Sequence, residues 1–240
     1  MNTSETSPTP AKYEDLAGLI EYALTRADLS EEEVSRGCDA AKQYRVASVV
    51  LRPSDVELAA HWLSGSSVQI AALVDFPEGH STTSAKLYAA RDLLRRGARQ
   101  IDTMLNTGKL VSRQFQYLEM ELLQMADACR ESTASLAVHL QSEYLNEELK
   151  IVACRILRRA GVEYIGTDRI EDIPLLQAHA REKLKIKYRA VEASLESAQQ
   201  WREAGCARIQ LPNPTRLLIA WKEQLAAAPL PSPKPPVPSP

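Results

Sequence analysis

Short apolar runs recur along the chain, and nearly every one is followed by a stretch of helical periodicity. Leu19–Leu24 (LIEYAL), Val46–Leu51 (VASVVL), Val68–Val74 (VQIAALV), Ile101–Leu105, Ser135–Leu140 (SLAVHL), Val162–Thr167, Lys185–Ala190 and Arg208–Leu211 read as strands. Helices are predicted from Ser30 to about Tyr44, Ser54 to Leu63, Thr83 to Arg96, Arg113 to Arg130, Asn146 to Arg159, Glu171 to Glu182, Leu195 to Ala204 and Thr215 to Ala227. Ser30 with Glu33, and Ser54 with Glu57, fit the S-x-x-E capping box, while Gly97, Gly161 and Gly205 stand where helices should stop. Eight β/α units in about 210 residues predict an α/β fold, a single-domain (β/α)8 TIM barrel rather than an open doubly wound sheet. The barrel is expected over 13–228, between a flexible Ser/Thr/Pro-rich segment 1–12 and a flexible Pro-rich tail 229–240, PLPSPKPPVPSP.

One segment breaks the apolar pattern. Lys185, Lys187 and Arg189 alternate along the seventh strand and so share one face. Parallel strands are covered on both faces, and lysine is rarely buried without a partner. On the fourth strand Asp102 shares parity with Met104 and Asn106; on the sixth, Tyr164, Gly166 and Asp168 share a face. If these faces point inward, Asp102 and Lys187 converge near the top of the barrel, with Asp168 and Arg189 as further candidates for the same cluster. That is the end where barrel chemistry is built. Two readings follow: a proton-transfer pair or activated amine suited to imine chemistry, or an ion pair that plugs the lumen. An open pocket at Lys187 would favour the first, and a closed contact with Asp102 the second.

Composition narrows the partners. The net charge is −2, with no basic block, so nucleic acid and anionic membrane are not expected. No apolar run approaches a membrane span, and the first residues lack a signal-peptide pattern, as expected of a cytoplasmic protein. Cys38, Cys129, Cys154 and Cys206 are widely spaced and form no metal-ligand pattern with His61, His80, His139 or His179; they read as reduced core residues. No GxGxxG or GxxxxGK[ST] argues for a nucleotide site, and with no metal-ligand spacing either, neither cofactor nor metal is expected.

Phe76-Pro77-x-Gly79-x-x-Thr82-Thr83, then Gly97-Ala98-x-x-Ile101-Asp102-x-x-x-Asn106, then Ala160-Gly161, resemble the pattern of deoxyribose-phosphate aldolases over about Leu16 to Ile219. The resemblance implies a class I aldolase barrel that cleaves deoxyribose 5-phosphate to acetaldehyde and glyceraldehyde 3-phosphate through a lysine Schiff base. It places the family's aspartate at Asp102 and its second, proton-shuttling lysine at Lys187. The Schiff-base lysine of the family's K-T-S motif falls at Gly166, which has no side chain, followed by Thr167 and Asp168. The phosphate-binding elements depart as well. Arg169, Ile170, Glu171 and Asp172 replace a Gly-rich loop; Ala190, Val191 and Glu192 stand at a Gly-Gly; Gln210, Leu211 and Pro212 stand at a Gly-x-Ser. On the first strand, Glu21, Tyr22 and Ala23 stand at an Asp-x-Thr. Phosphate cradles need backbone N–H groups without Cβ obstruction, and these replacements oppose that.

The preferred reading is an aldolase-like protein with a degenerate site, lacking deoxyribose-5-phosphate cleavage and serving in binding, regulation or scaffolding. The alternative is a lyase of altered substrate, with Lys187 as the imine amine and Asp102 as proton shuttle. A slip of alignment around residues 164–187, where Lys183, Lys185 and Lys187 lie close together, would leave an ordinary aldolase. The occupant, a small molecule or a protein, is left open, as is pairing of copies through the helices. Lesser candidates at the rim are His80, read as structural before functional, and Arg52, which would meet an anion or stay solvated. Asp75 and Glu78 make that rim acidic. Trp62, Trp201 and Trp221 are expected between helices, and Phe115 and Tyr117 in the core.

Overall fold

Eight parallel strands close on themselves in chain order, β1 to β8, in a computed structural model that describes residues 12–227 and leaves the side chain of Glu182 undescribed. They are β1 (Ile20–Leu24), β2 (Ser48–Leu51), β3 (Gln69–Val74), β4 (Gln100–Met104), β5 (Ser135–His139), β6 (Tyr164–Thr167), β7 (Lys185–Arg189) and β8 (Cys206–Leu211). Among the described residues ten helices accompany them: α1 (Glu14–Ala17), α2 (Glu31–Tyr44), α3 (Val56–Trp62), α4 (Thr83–Arg95), α5 (Thr107–Val111), α6 (Phe115–Glu131), α7 (Glu147–Ala160), α8 (Ile173–Ala180), α9 (Leu195–Glu203) and α10 (Thr215–Ala227). This is the single-domain (β/α)8 barrel that the periodicity predicts. Apart from Lys12, the predicted flexible ends lie outside the described residues.

Helix signals work where a side chain is free to cap. Ser30 accepts from the Glu33 amide and Glu33 returns to the Ser30 amide, while Asn146 and Thr82 cap α7 and α4. The second predicted box fails. Pro53–Asp55 is a 3-10 turn, α3 begins at Val56 without a side-chain cap, and Ser54 Oγ donates to Asp55 instead. Arg52 dictates this, since its guanidinium holds Asp55 at 2.6 Å and donates to the carbonyls of Arg26, Ala27 and Leu29. The helix predicted from Arg113 to Arg130 is two helices. α5 ends before Arg113, which takes a left-handed φ of 57°, and α6 starts at Phe115. The helix predicted over Glu171 to Glu182 shrinks to α8, flanked by 3-10 turns at Ile170–Asp172 and Arg181–Lys183.

The apolar core lies between sheet and helices, where Leu51, Ile101, Val138, Ile165, Ile186 and Ile209 meet Val34, Leu118, Leu157 and Leu218. Those strand residues all share the outward parity of their strands. The opposite parity gives the lumen a different chemistry. Glu21, Ser48, Gln100, Asp102, His139 and Lys187 are all buried there, beside Ala23, Val50, Ala71, Ala137 and Tyr164. Trp201 lies against the β7 residue Tyr188, ring centroids 4.8 Å apart, and Trp221 donates to the Tyr13 carbonyl. Phe115 and Tyr117 are only half-buried at the core's edge. All four cysteines are free and buried. No helix among the described residues is long and apolar enough to cross a membrane.

Candidate functional site

Strand register sets the site. Glu21 on β1 pairs with Ser48 and Gln210, Asp102 on β4 with Ala137 on β5, and Gly166 on β6 with both His139 and Lys187. All of these side chains therefore project into the lumen at neighbouring heights. The Lys187 ammonium has no exposed surface and lies between two carboxylates, contacting Asp102 Oδ2 and Glu21 Oε2. Gln100 donates to Asp102 Oδ1 at 2.7 Å and reaches Glu21 Oε1 at 3.2 Å, tying the two acids together. His139 Nε2 is 3.1 Å from the same Asp102 Oδ2 that holds the lysine. An ionised carboxylate only accepts, so this nitrogen carries the ring proton.

The charges follow from the geometry. Burial alone would push the Lys187 pKa down, but Asp102 and then Glu21 outweigh it, and the net direction is upward. Burial would raise Asp102; Lys187 and the hydrogen bond from His139 hold it well below the usual carboxylate range. Burial also lowers the His139 pKa, against the pull of Asp102, and the ring is neutral at neutral pH. A charged lysine, two acids and a neutral imidazole fill the centre of the lumen. Protonated, Lys187 has no lone pair for attack on a carbonyl.

Gly166 explains why the imidazole is there. A Cβ built on Gly166 would lie 2.6 Å from the His139 ring carbons Cγ and Cε1, far inside van der Waals contact. The space a side chain at 166 would need belongs to His139, whose ring meets Phe76 edge-on at 5.6 Å. Neither Glu21 nor His139 is singled out by sequence reasoning as a member of this cluster. A signal for Glu21 exists, because an acid inside the apolar run LIEYAL is the same kind of anomaly as Lys187 inside KIKYR.

The remaining candidates lie elsewhere. Asp168 and Arg189 do not join the Lys187 cluster; they pair with each other at 2.9 Å on the rim, with the Arg189 guanidinium 5.0 Å over Phe76. Lys185 sits at the other end of the lumen, paired with Glu163 and over the Tyr164 ring. Arg52 is committed to Asp55 and three carbonyls and offers little to an anion. His80 is exposed and borders a rim cleft with Glu78 and Pro77. Asp75 accepts from the Ser81 amide and hydroxyl and lies 3.4 Å from Lys86. No group of three or more metal-ligating side chains occurs among the described residues.

No family model matches the chain. Curated relatives do. The deoxyribose-phosphate aldolase of Treponema denticola is 31% identical over 203 residues, covering 81% of this chain and 94% of the relative. That of Caldanaerobacter subterraneus subsp. tengcongensis is 29% identical over 219 residues, covering 88% and 95%. Among solved structures, the aldolase QR15 superposes with a TM-score of 0.83 at 25% identity, covering 89% of this chain and 99% of that one. The deoxyribose phosphate aldolase of Aeropyrum pernix, described as tetrameric, superposes at 0.81 with 20% identity, covering 89% and 93%. With near-complete coverage on both sides and a shared closed barrel, the chain belongs to the deoxyribose-phosphate aldolase family.

Proposed function

We propose that this member of the family does not cleave deoxyribose 5-phosphate and serves instead as a non-catalytic binding barrel. The observation that carries the reading is the Lys187 ammonium, wholly buried and held between Asp102 and Glu21. An imine lysine must be reachable by substrate and neutral at the moment of attack, and this one is neither. His139 in the space beside Gly166 supports the reading, because it closes the position where the family resemblance puts the nucleophile. Glu21 supports it too, since a second carboxylate holds the ammonium charged where a single one could still share its proton. The test is turnover of deoxyribose 5-phosphate, followed as glyceraldehyde 3-phosphate release. The expected rate is that of buffer alone, and a rate abolished by Lys187→Arg would overturn the proposal. Self-association is part of the same reading. The Aeropyrum relative is described as tetrameric, and Tyr88 on α4 and Met120 on α6 are 73% and 57% exposed here. Light scattering of the full chain should give a mass above one copy.

A further inference from the structure

At the opposite end of the barrel, where the strands begin, a cavity of about 620 Å³ opens between the carboxyl end of α7 and the 3-10 turn leading from α8 into β7. The described residues lining it are all basic: Arg158 and Arg159 from the last turn of α7, Arg181 and Lys183 from the 3-10 turn. The two pairs are brought together because the Arg158 guanidinium donates to the His179 carbonyl at 3.3 Å, tying the end of α7 to that of α8. Like charges converging on one concavity repel, unless acids stand among them. Here acids offset little. Arg158, Arg181 and Lys183 make no salt bridge among the described residues, and Arg159 comes only within 3.8 Å of Glu119. With Glu119 and the neighbouring Glu182 both counted against them, the four cations still leave the cavity net positive. The charged heads are also reachable. Arg159, Arg181 and Lys183 are exposed and Arg158 is half-buried, so a ligand can meet all of them from solvent. Three of the four are arginines, whose planar fork of N–H donors matches two phosphate oxygens at once. One phosphate engages one or two such groups; cations on both sides of the cavity call for an anion with two charged centres.

We infer that this cavity binds a small diphosphate anion, bridging Arg158 and Arg159 on one side to Arg181 and Lys183 on the other. The same chemistry is offered by free pyrophosphate and by the diphosphate of a nucleotide. The inference is independent of the non-catalytic reading, because the cavity lies at the far end of the barrel from its mouth and uses none of the lumen residues. The test is an NMR titration of the folded full chain, free of divalent metal, with pyrophosphate, ADP and inorganic phosphate. Saturable shifts are expected for pyrophosphate and ADP, confined to the end of α7 and residues 179–185. Pyrophosphate should bind about tenfold tighter than phosphate, the scale of one further charge-assisted hydrogen bond. Arg181→Gln combined with Lys183→Gln, both on the exposed turn, should weaken pyrophosphate by about tenfold or more at an unchanged urea midpoint. Arg189→Gln, at the barrel mouth, should leave that affinity as it is. Tighter binding of ADP than of pyrophosphate would make the ligand a nucleotide, and the reverse ranking the free anion; either supports the site. Equal affinity for phosphate and pyrophosphate, shifts centred on the barrel mouth, affinity untouched by the double variant, or no saturable binding would overturn the inference. None of these outcomes bears on Lys187, and turnover of deoxyribose 5-phosphate would remove the non-catalytic reading without deciding this site.

Discussion

Two lysines are fully buried among the described residues, one on each side of the sheet. Lys86, on α4, is 1% exposed and spends its ammonium on the Gly79 carbonyl at 2.9 Å, Glu121 at 2.9 Å and Asp75 at 3.4 Å. It fastens the Asp75–Ser81 loop to α6, and Thr83 adds a bond to Glu121 at 2.9 Å. Gly79 can lie there only without a side chain, since a Cβ would sit 2.7 Å from that of Met104, and its φ is 75°. Lys187, in the lumen, has the same construction of one ammonium between two acids. Nobody would assign chemistry to Lys86. The comparison bears on the proposal above: an ammonium held between carboxylates fastens a loop to a helix at Lys86, and Lys187 has the same arrangement. Gly79 and Thr83 of the FPxG…TT motif take part in this packing.

The largest expected effect separates the two lysines from ordinary surface pairs. Lys187→Met leaves two acids buried without their cation and should cost about 3–5 kcal/mol in urea unfolding. Converting all three groups together, Glu21→Gln, Asp102→Asn and Lys187→Met, should recover most of that loss, because a buried ion pair contributes little net stability over neutral groups of similar size. A triple variant as unstable as the single one would show that the charges themselves are required. Lys86→Met should cost about 3 kcal/mol, somewhat less, because Asp75 keeps its two bonds from Ser81. Its signature is local, with faster amide exchange in residues 75–82.

Next in size is the steric claim. Gly166→Ala should destabilise by about 1–3 kcal/mol through collision with His139, and His139→Gly in the same chain should remove most of the penalty. At the rim, Arg189→Ala should cost no more than about 1 kcal/mol, since its pair with Asp168 is partly solvated.

The smallest effect is a slope. Asp102 titrates below its unfolded value, so its contribution is present above about pH 4 and is lost only as pH falls through the depressed folded value. Lys187 titrates above its unfolded value; its contribution is present below about pH 10 and lost as pH rises through the raised one. Between those limits the plug is flat. His139 has a depressed pKa, so stability falls as pH drops below about 6.5, where the unfolded imidazole takes a proton that the buried ring refuses. Urea midpoints from pH 7 to 5 should decline in the wild type and level out in His139→Gln, which keeps a donor for Asp102.

The same contrast explains what was readable beforehand. The outer layer obeys local rules: β-branched strands such as VASVVL, helical periodicity, and the Ser30–Glu33 box all survive in the folded chain. Local rules fail where a distant group intervenes. The Ser54–Glu57 box is pre-empted because Arg52 captures Asp55 and the 26–29 carbonyls. Inside the barrel, parity put Asp102 and Lys187 in one place, since both lie on strands whose alternation is plain. Glu21 enters from β1 and His139 from β5, and nothing local in the sequence joins either to Lys187 on β7. His139 is legible only through a hole: once residue 166 has no side chain, its neighbour on β5 must fill the space or leave a cavity.

The central claim, that the lysine at the family's functional position has become a structural cation, is tested most directly by trapping. Wild-type protein is incubated with acetaldehyde or deoxyribose 5-phosphate under borohydride, and reduced adducts are located by intact mass and peptide mapping. Lys187 should remain unmodified on the folded protein and become reactive only after unfolding. A reduced adduct on Lys187 in the native state would contradict the account and restore this barrel to imine chemistry.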